Sequence, residues 1–177
     1  MPERASRVVL IGFMGAGKST VGRLVARRLG YRFEDMDQRI ESRTGRRIAA
    51  IFREDGEETF RAMERDEAEA LGGTTRCVVA AGGGAFARSP TRALLQRGAV
   101  TVWLRCDIDT VSARIPADGT RPLAANRDIM RALLAEREAS YRMADVTVDA
   151  VGTPDEVADR VVALVQDRLQ DATPSGR

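Results

Sequence analysis

Val8-Val9-Leu10-Ile11, running straight into Gly12-Phe13-Met14-Gly15-Ala16-Gly17-Lys18-Ser19, is the stretch that decides how this chain folds. Four consecutive apolar residues without alternation read as a strand buried on both faces. The next eight residues fit G-x-x-x-x-G-K-[ST]. Val21, Leu24, Val25 and Leu29 then recur at helical spacing, and Gly30 stands where a C-cap belongs. Strand, glycine turn and helix together make a phosphate cradle: the glycines let successive N–H groups point inward, and the helix adds its positive end. In that cradle Lys18 bridges the terminal phosphates of a nucleoside triphosphate and the Ser19 hydroxyl faces Mg²⁺. Four specified positions match by chance in well under about one chain in fifty of this length.

Working outward, short apolar runs alternate with helical patterns. Tyr31–Glu34 reads as a second strand, Cys77–Ala81 as a third, Val100–Leu104 as a fourth and Val146–Val148 as a fifth. Between them, Ile48, Ile51 and Phe52 form one helical stripe, and Phe60, Met63 and Leu71 form another beyond Gly56. Ser89-Pro90 reads as a helix start with Ser89 as N-cap, and Gly98 as its stop. Thr153-Pro154-Asp155-Glu156 reads as a capping box opening a helix with Val157, Val161, Leu164 and Val165 on one side. This alternation predicts an α/β fold with a parallel sheet covered by helices on both faces. With 177 residues, a single domain is expected, its core over about 8–170 and a frayed tail over 171–177.

Composition narrows the chemistry. The absence of histidine removes Ser-His-Asp triads and His-ligated zinc from consideration. Cys77 and Cys106 have no metal or redox spacing and read as small buried hydrophobes. A net charge of +2 argues against nucleic-acid binding. Lys18 is the single lysine, so the one ammonium side chain of the chain sits inside the phosphate motif. Met1–Arg7 does not resemble a signal peptide and no apolar stretch is long enough to span a membrane, so the cytoplasm is the expected compartment. Lacking a heptad stripe, the chain is expected to be a monomer.

A phosphate loop specifies only a nucleotide; the acceptor must be read elsewhere. Asp35-Met36-Asp37 follows the second strand, and in an extended segment both carboxylates face one way, one toward Mg²⁺ and one toward an acceptor hydroxyl. The same residues also suit a helix N-cap, and this reading stands equally. Arg61 and Glu64, at i and i+3, suit either a guanidinium steadied for a substrate carboxylate or an ordinary surface ion pair. Gly82-Gly83-Gly84 ends a buried strand, where it either offers unobstructed N–H groups to a ligand or forms a plain loop. A polar Gly/Pro-containing connector around 113–126 reads as a mobile lid carrying Arg121-Pro122, from which an arginine meets charge on the transferring phosphoryl.

Taken in order, GFMGAGKST, FEDMDQRIE, IFREDGEETFRAMERDE, GGGA, TRPLA and Glu136-Arg137 ahead of Tyr141 resemble the motif series of shikimate kinases over about residues 8–165. The resemblance implies a three-layer P-loop kinase fold, nucleoside-monophosphate-kinase-like, with strand order 2-3-1-4-5. It implies Mg²⁺-dependent transfer from ATP to the 3-hydroxyl of shikimate, on the route to chorismate and the aromatic amino acids. It assigns catalysis to Lys18, Asp37 and Arg121, and ATP contacts to Gly15, Ala16, Gly17, Lys18, Ser19, Thr20, Arg114, Arg121 and Pro154, with Arg114 stacking on adenine. It assigns shikimate contacts to Asp37, Arg61, Gly82, Gly83, Gly84 and Arg137, within a binding region of about 35–64 and its surroundings, and the metal to Ser19 and Asp35. Two departures from the family pattern stand out: Ala139 replaces a common proline, and Ala80-Ala81 stand where a serine is often found. Two rivals share parts of this logic, a kinase of another small acid such as gluconate and a nucleotide-switched binding protein that has lost transfer.

Overall fold

The computed structural model describes residues 5–115 and 126–169. Five strands, β1 (Arg7–Ile11), β2 (Arg32–Asp35), β3 (Cys77–Ala80), β4 (Ala99–Arg105) and β5 (Val146–Asp149), form one parallel sheet in the order β2-β3-β1-β4-β5. β1, in the middle, is buried along its whole length, as its unbroken apolar run requires. The helices are α1 (Lys18–Leu29), α2 (Met36–Thr44), α3 (Ile48–Asp55), α4 (Glu57–Gly72), α5 (Ser89–Gln96), α6 (Ile108–Arg114), α7 (Arg127–Tyr141) and α8 (Pro154–Val165). α1 packs on α8 and against β3, while α4 packs on α5, which lies against β4.

Local signals act where they were read. Gly30 ends α1 at φ 67°, and its N–H caps the carbonyls of Ala26 and Arg27. Thr153 caps α8: its hydroxyl accepts from the Glu156 N–H at 3.2 Å, and Glu156 Oε2 accepts from the Thr153 N–H at 2.7 Å. Both cysteines are free and buried. α7 runs unbroken through Ala139, so alanine continues the helix where proline would remove a donor.

Four readings need correction. β2 starts at Arg32, because the Tyr31 N–H still bonds back to Ala26 at the end of α1. Ser89 is not the N-cap of α5: Arg88 is, Ser89 lies inside the first turn, and no side chain caps that end. Leu164 is 48% exposed, while Ala158 joins Val157, Val161 and Val165 in the buried face of α8. Asp35-Met36-Asp37 is not an extended tripeptide. β2 ends at Asp35, which serves as N-cap of α2, so Met36 and Asp37 are already helical.

A buried arginine ties the sheet to the helices. Arg7 is 2% exposed and donates to the carbonyls of Gly72 at 2.5 Å, Arg97 at 2.7 Å and Leu94 at 3.3 Å. These carbonyls lie at the ends of α4 and α5, where unpaired acceptors and the negative end of the helix dipole favour a cation.

Candidate active site

The phosphate loop lies between β1 and α1, at the carboxyl end of the sheet's central strand. Gly15 and Gly17 hold φ 77° and 94°, left-handed conformations that a side chain makes costly, and Gly17 is the N-cap of α1. Lys18 arches back over the loop, its Nζ donating to the carbonyls of Gly12 at 2.8 Å and Phe13 at 3.0 Å. Ala16 is buried within the loop and Thr20 lies in the first turn of α1.

Asp35 serves two ends at once. One oxygen accepts from the Gln38 N–H at 3.2 Å as the cap of α2, and the other accepts a hydrogen bond from the Ser19 hydroxyl. The cap reading and the metal reading of Asp35 are therefore compatible, because a carboxylate has lone pairs for both. Ser19 and Asp35 together form an all-oxygen donor pair. That set suits Mg²⁺, which takes one or two protein ligands and completes its octahedron with water and phosphate oxygens.

Arg114 reaches the same loop from the end of α6. It donates to the carbonyl of Ala150 at 2.9 Å and approaches that of Ala16 at 3.5 Å. Ala150 leads into Gly152 and the capping box, so Arg114 joins the phosphate loop to the segment that carries Pro154. Arg121 lies outside the described residues, as does most of the connector read as a lid.

The acceptor candidates converge on the three glycines after β3. A methyl group at Gly82 would stand 2.6 Å from Glu64 Oε1 and 3.1 Å from Asp37 Oδ1. At Gly83 it would stand 3.4 Å from Arg137 Nη1 and 3.5 Å from the backbone nitrogen of Met14 in the phosphate loop. At Gly84 it would collide with the guanidinium of Arg61. The glycines are thus no plain loop: they are the space into which two carboxylates and two guanidinium groups pack, against the phosphate loop.

Nor is the Arg61–Glu64 pair a surface ion pair. Arg61 Nη1 lies 2.6 Å from Glu64 Oε2, with side-chain exposures of 12% and 2%. Glu57, one turn earlier on α4, lies 3.2 Å from Arg61 Nη2. Burial would lower the pKa of Arg61, but the charges and hydrogen bonds of Glu64 and Glu57 overcome it and hold it above its ordinary value. Burial pushes Glu64 up; Arg61 and Arg137 pull it down, and the negative charge of Asp37 adds to the rise.

Some contributors carried no clear signal in the sequence. Phe13, at a free position of the loop motif, is 1% exposed, and the Arg137 guanidinium lies 5.8 Å from its ring centroid. Phe60 and Phe52 similarly flank Arg61, at 5.5 and 5.9 Å. Glu67 is buried on α4 and ties it to α2 through Arg39 at 2.7 Å and Arg43 at 3.1 Å. This tie joins the helix carrying Asp37 to the one carrying Arg61. Phe60 beside Arg61 is such a hint, and an aromatic in an apolar pattern reads equally well as core; Arg137 has no aromatic neighbour in the chain.

Comparison with known proteins identifies the family. The shikimate kinase family profile matches residues 14–166. Shikimate kinase of Geobacter sulfurreducens is 39% identical over 171 residues, covering 94% of each chain. That of Gloeobacter violaceus is 43% identical over 170 residues, covering 93% of this chain and 96% of its own. Among solved structures, shikimate kinase from Acinetobacter baumannii in complex with shikimate superposes with a TM-score of 0.88 at 33% identity, covering 95% of this chain and 97% of its own. With sequence and fold in agreement over nearly its whole length, this chain belongs to the shikimate kinase family.

Proposed function

We propose that this protein transfers the γ-phosphoryl group of ATP to the 3-hydroxyl of shikimate, giving shikimate 3-phosphate and ADP. The observation that carries this reading is the triglycine turn. It brings two guanidinium groups, Arg61 and Arg137, and the carboxylate of Asp37 to one place beside the phosphate loop. An acceptor with a carboxylate at one end and a hydroxyl at the other is what such a site recognises, by a charged grip on the first and a hydrogen-bond acceptor for the second. A structural relative with shikimate in its complex supports the same acceptor.

Each residue then has a task. Arg61 and Arg137 grip the acceptor carboxylate, with Gly82, Gly83 and Gly84 leaving room and Gly83 adding a backbone contact. Asp37 accepts a hydrogen bond from the reacting hydroxyl and takes its proton as the oxygen attacks. Backbone N–H groups of Gly15 to Thr20 hold the phosphates, and Lys18 swings from its loop carbonyls onto the β- and γ-phosphates. Arg114 and Pro154 hold the adenine, and Arg121 meets charge on the phosphoryl. Ser19 and Asp35 would hold Mg²⁺, which when bound neutralises phosphate charge. In-line positioning and charge stabilisation supply most of the rate. Among the described residues no helix is long and apolar enough to cross a membrane; a cytoplasmic monomer remains the expected form.

The test is ADP release in a coupled assay with Mg·ATP, alone and with shikimate or gluconate. A large rate that depends on shikimate, and not on gluconate, is expected. ATP binding without stimulation by shikimate would keep the nucleotide site and overturn the acceptor.

A further inference from the structure

Tyr141, the last residue of α7, is fully buried, and its hydroxyl donates to the carbonyl of Gly83. Its ring lies 5.9 Å from that of Trp103 on β4. None of the roles given above uses this hydroxyl, yet it meets the turn on which those roles converge. In the same turn the carbonyl of Gly82 accepts from the Ala85 N–H at 3.1 Å. Two successive carbonyls are therefore held, Gly82 from within the turn and Gly83 from α7. Peptide bonds are planar and those described here are trans, so fixing the carbonyl of one residue fixes the N–H of the next. The bonds to Gly82 and Gly83 thus set the orientation of the N–H groups of Gly83 and Gly84.

Three glycines in a row have no side chains to hold themselves and lose more freedom on ordering than any other residues. Gly83 stands between Arg137 and the phosphate loop, and Gly84 lies against Arg61. A rotation of the peptide between them would move the acceptor's surroundings relative to the phosphate. Burial pushes the Tyr141 hydroxyl up to about 12, with the charge and hydrogen bond of Arg137 opposing, so it stays a donor across the working range of the enzyme.

We propose that Tyr141 is a positioning residue: its hydroxyl locks the Gly83–Gly84 peptide and so sets the acceptor grip of Arg61 and Arg137 in register with the phosphate loop. The acceptor half of this statement rests on the function proposed above; the lock itself does not.

Tyr141→Phe tests it by keeping the ring against Trp103 and removing the hydroxyl; exchange at Ala85 reads the lost bond to Gly83 apart from the lost acceptor for Arg137. The KM for shikimate should rise about tenfold, the size expected for one buried hydrogen bond left unmade. The Kd for ATP should stay within about twofold, since no phosphate contact changes. Amide exchange at Ala85, whose N–H closes the turn, should accelerate about fivefold or more as the turn loosens. Trp103→Phe is the packing control: it loosens the same contact while retaining the hydroxyl, and should leave the shikimate KM unchanged. An unchanged KM or an unchanged Ala85 exchange in Tyr141→Phe overturns the proposal, as does an equal KM rise in Trp103→Phe. If the unsubstituted protein is not stimulated by shikimate, the proposed function falls, and Ala85 exchange alone still decides the lock.

Discussion

Arg61 and Glu64 stand one helical turn apart on α4 with 2.6 Å between Nη1 and Oε2, in a pocket that leaves the carboxylate 2% exposed. The pair stays fixed because each partner has few alternatives: Arg61 is flanked by Phe52 and Phe60, and Glu64 faces Gly82 and Asp37. Such a guanidinium is preorganised before an acceptor arrives, which lowers the ordering cost of binding.

Arg61→Lys therefore removes a planar fork, and its charge is kept. Shikimate KM should rise about tenfold or more while the Kd for ATP stays the same. Steady-state kinetics with each substrate varied in turn decides this. An unchanged shikimate KM would remove Arg61 from the carboxylate grip.

Asp37→Asn keeps size and removes the proposed proton acceptor. Its kcat should fall about a hundredfold or more, as for loss of a general base, with ATP affinity nearly intact. Single-turnover ADP formation and ATP titration measure the two separately. Near-normal turnover would remove Asp37 as the base.

Gly82→Ala tests the convergence itself. Gly82 is absent from the positive-φ glycines, so the cost of a methyl group here is steric: it would meet Glu64 Oε1 at 2.6 Å and Asp37 Oδ1 at 3.1 Å. Stability should fall by about 1–3 kcal/mol, as for overpacking, and kcat/KM for shikimate should fall more than ATP affinity. Urea unfolding and kinetics on the same preparation check both.

Glu64 makes stability depend on pH in an unusual direction for a carboxylate. Burial raises its folded pKa, opposed by Arg61 and Arg137 and reinforced by Asp37. Between the ordinary carboxylate value, about pH 4 to 5, and the raised value, the folded state binds more protons than the unfolded one. This contribution therefore favours folding at low pH and is lost as pH rises through that window. Glu64→Gln, which does not titrate, should gain stability relative to the unsubstituted protein as pH is raised from about 4 to 7. Paired urea titrations across that range test the sign; a constant difference would mean that Glu64 ionises normally.

By itself, the sequence determined the strand order's building blocks, the phosphate loop and the helix ends at Gly30 and Thr153, because each rests on neighbours in the chain. Its motif order also carried the family. Packing decided the rest. Whether Arg61 and Glu64 form a surface pair or a buried one depends on Phe52, Phe60 and the glycines of another segment closing over them. Asp35 was ambiguous between cap and metal neighbour until α1 brought Ser19 against it; in the structure it caps α2 with one oxygen and accepts from the Ser19 hydroxyl with the other. Tyr141 meets Gly83 across 58 residues, and Arg7 meets the ends of two helices 65 and 90 residues away. Local periodicity records which face of an element is apolar; it carries no information on which distant polar atom that face will meet. Those meetings arise only when the sheet and its helices pack, and here they place the residues of the proposed acceptor site beside the phosphate loop.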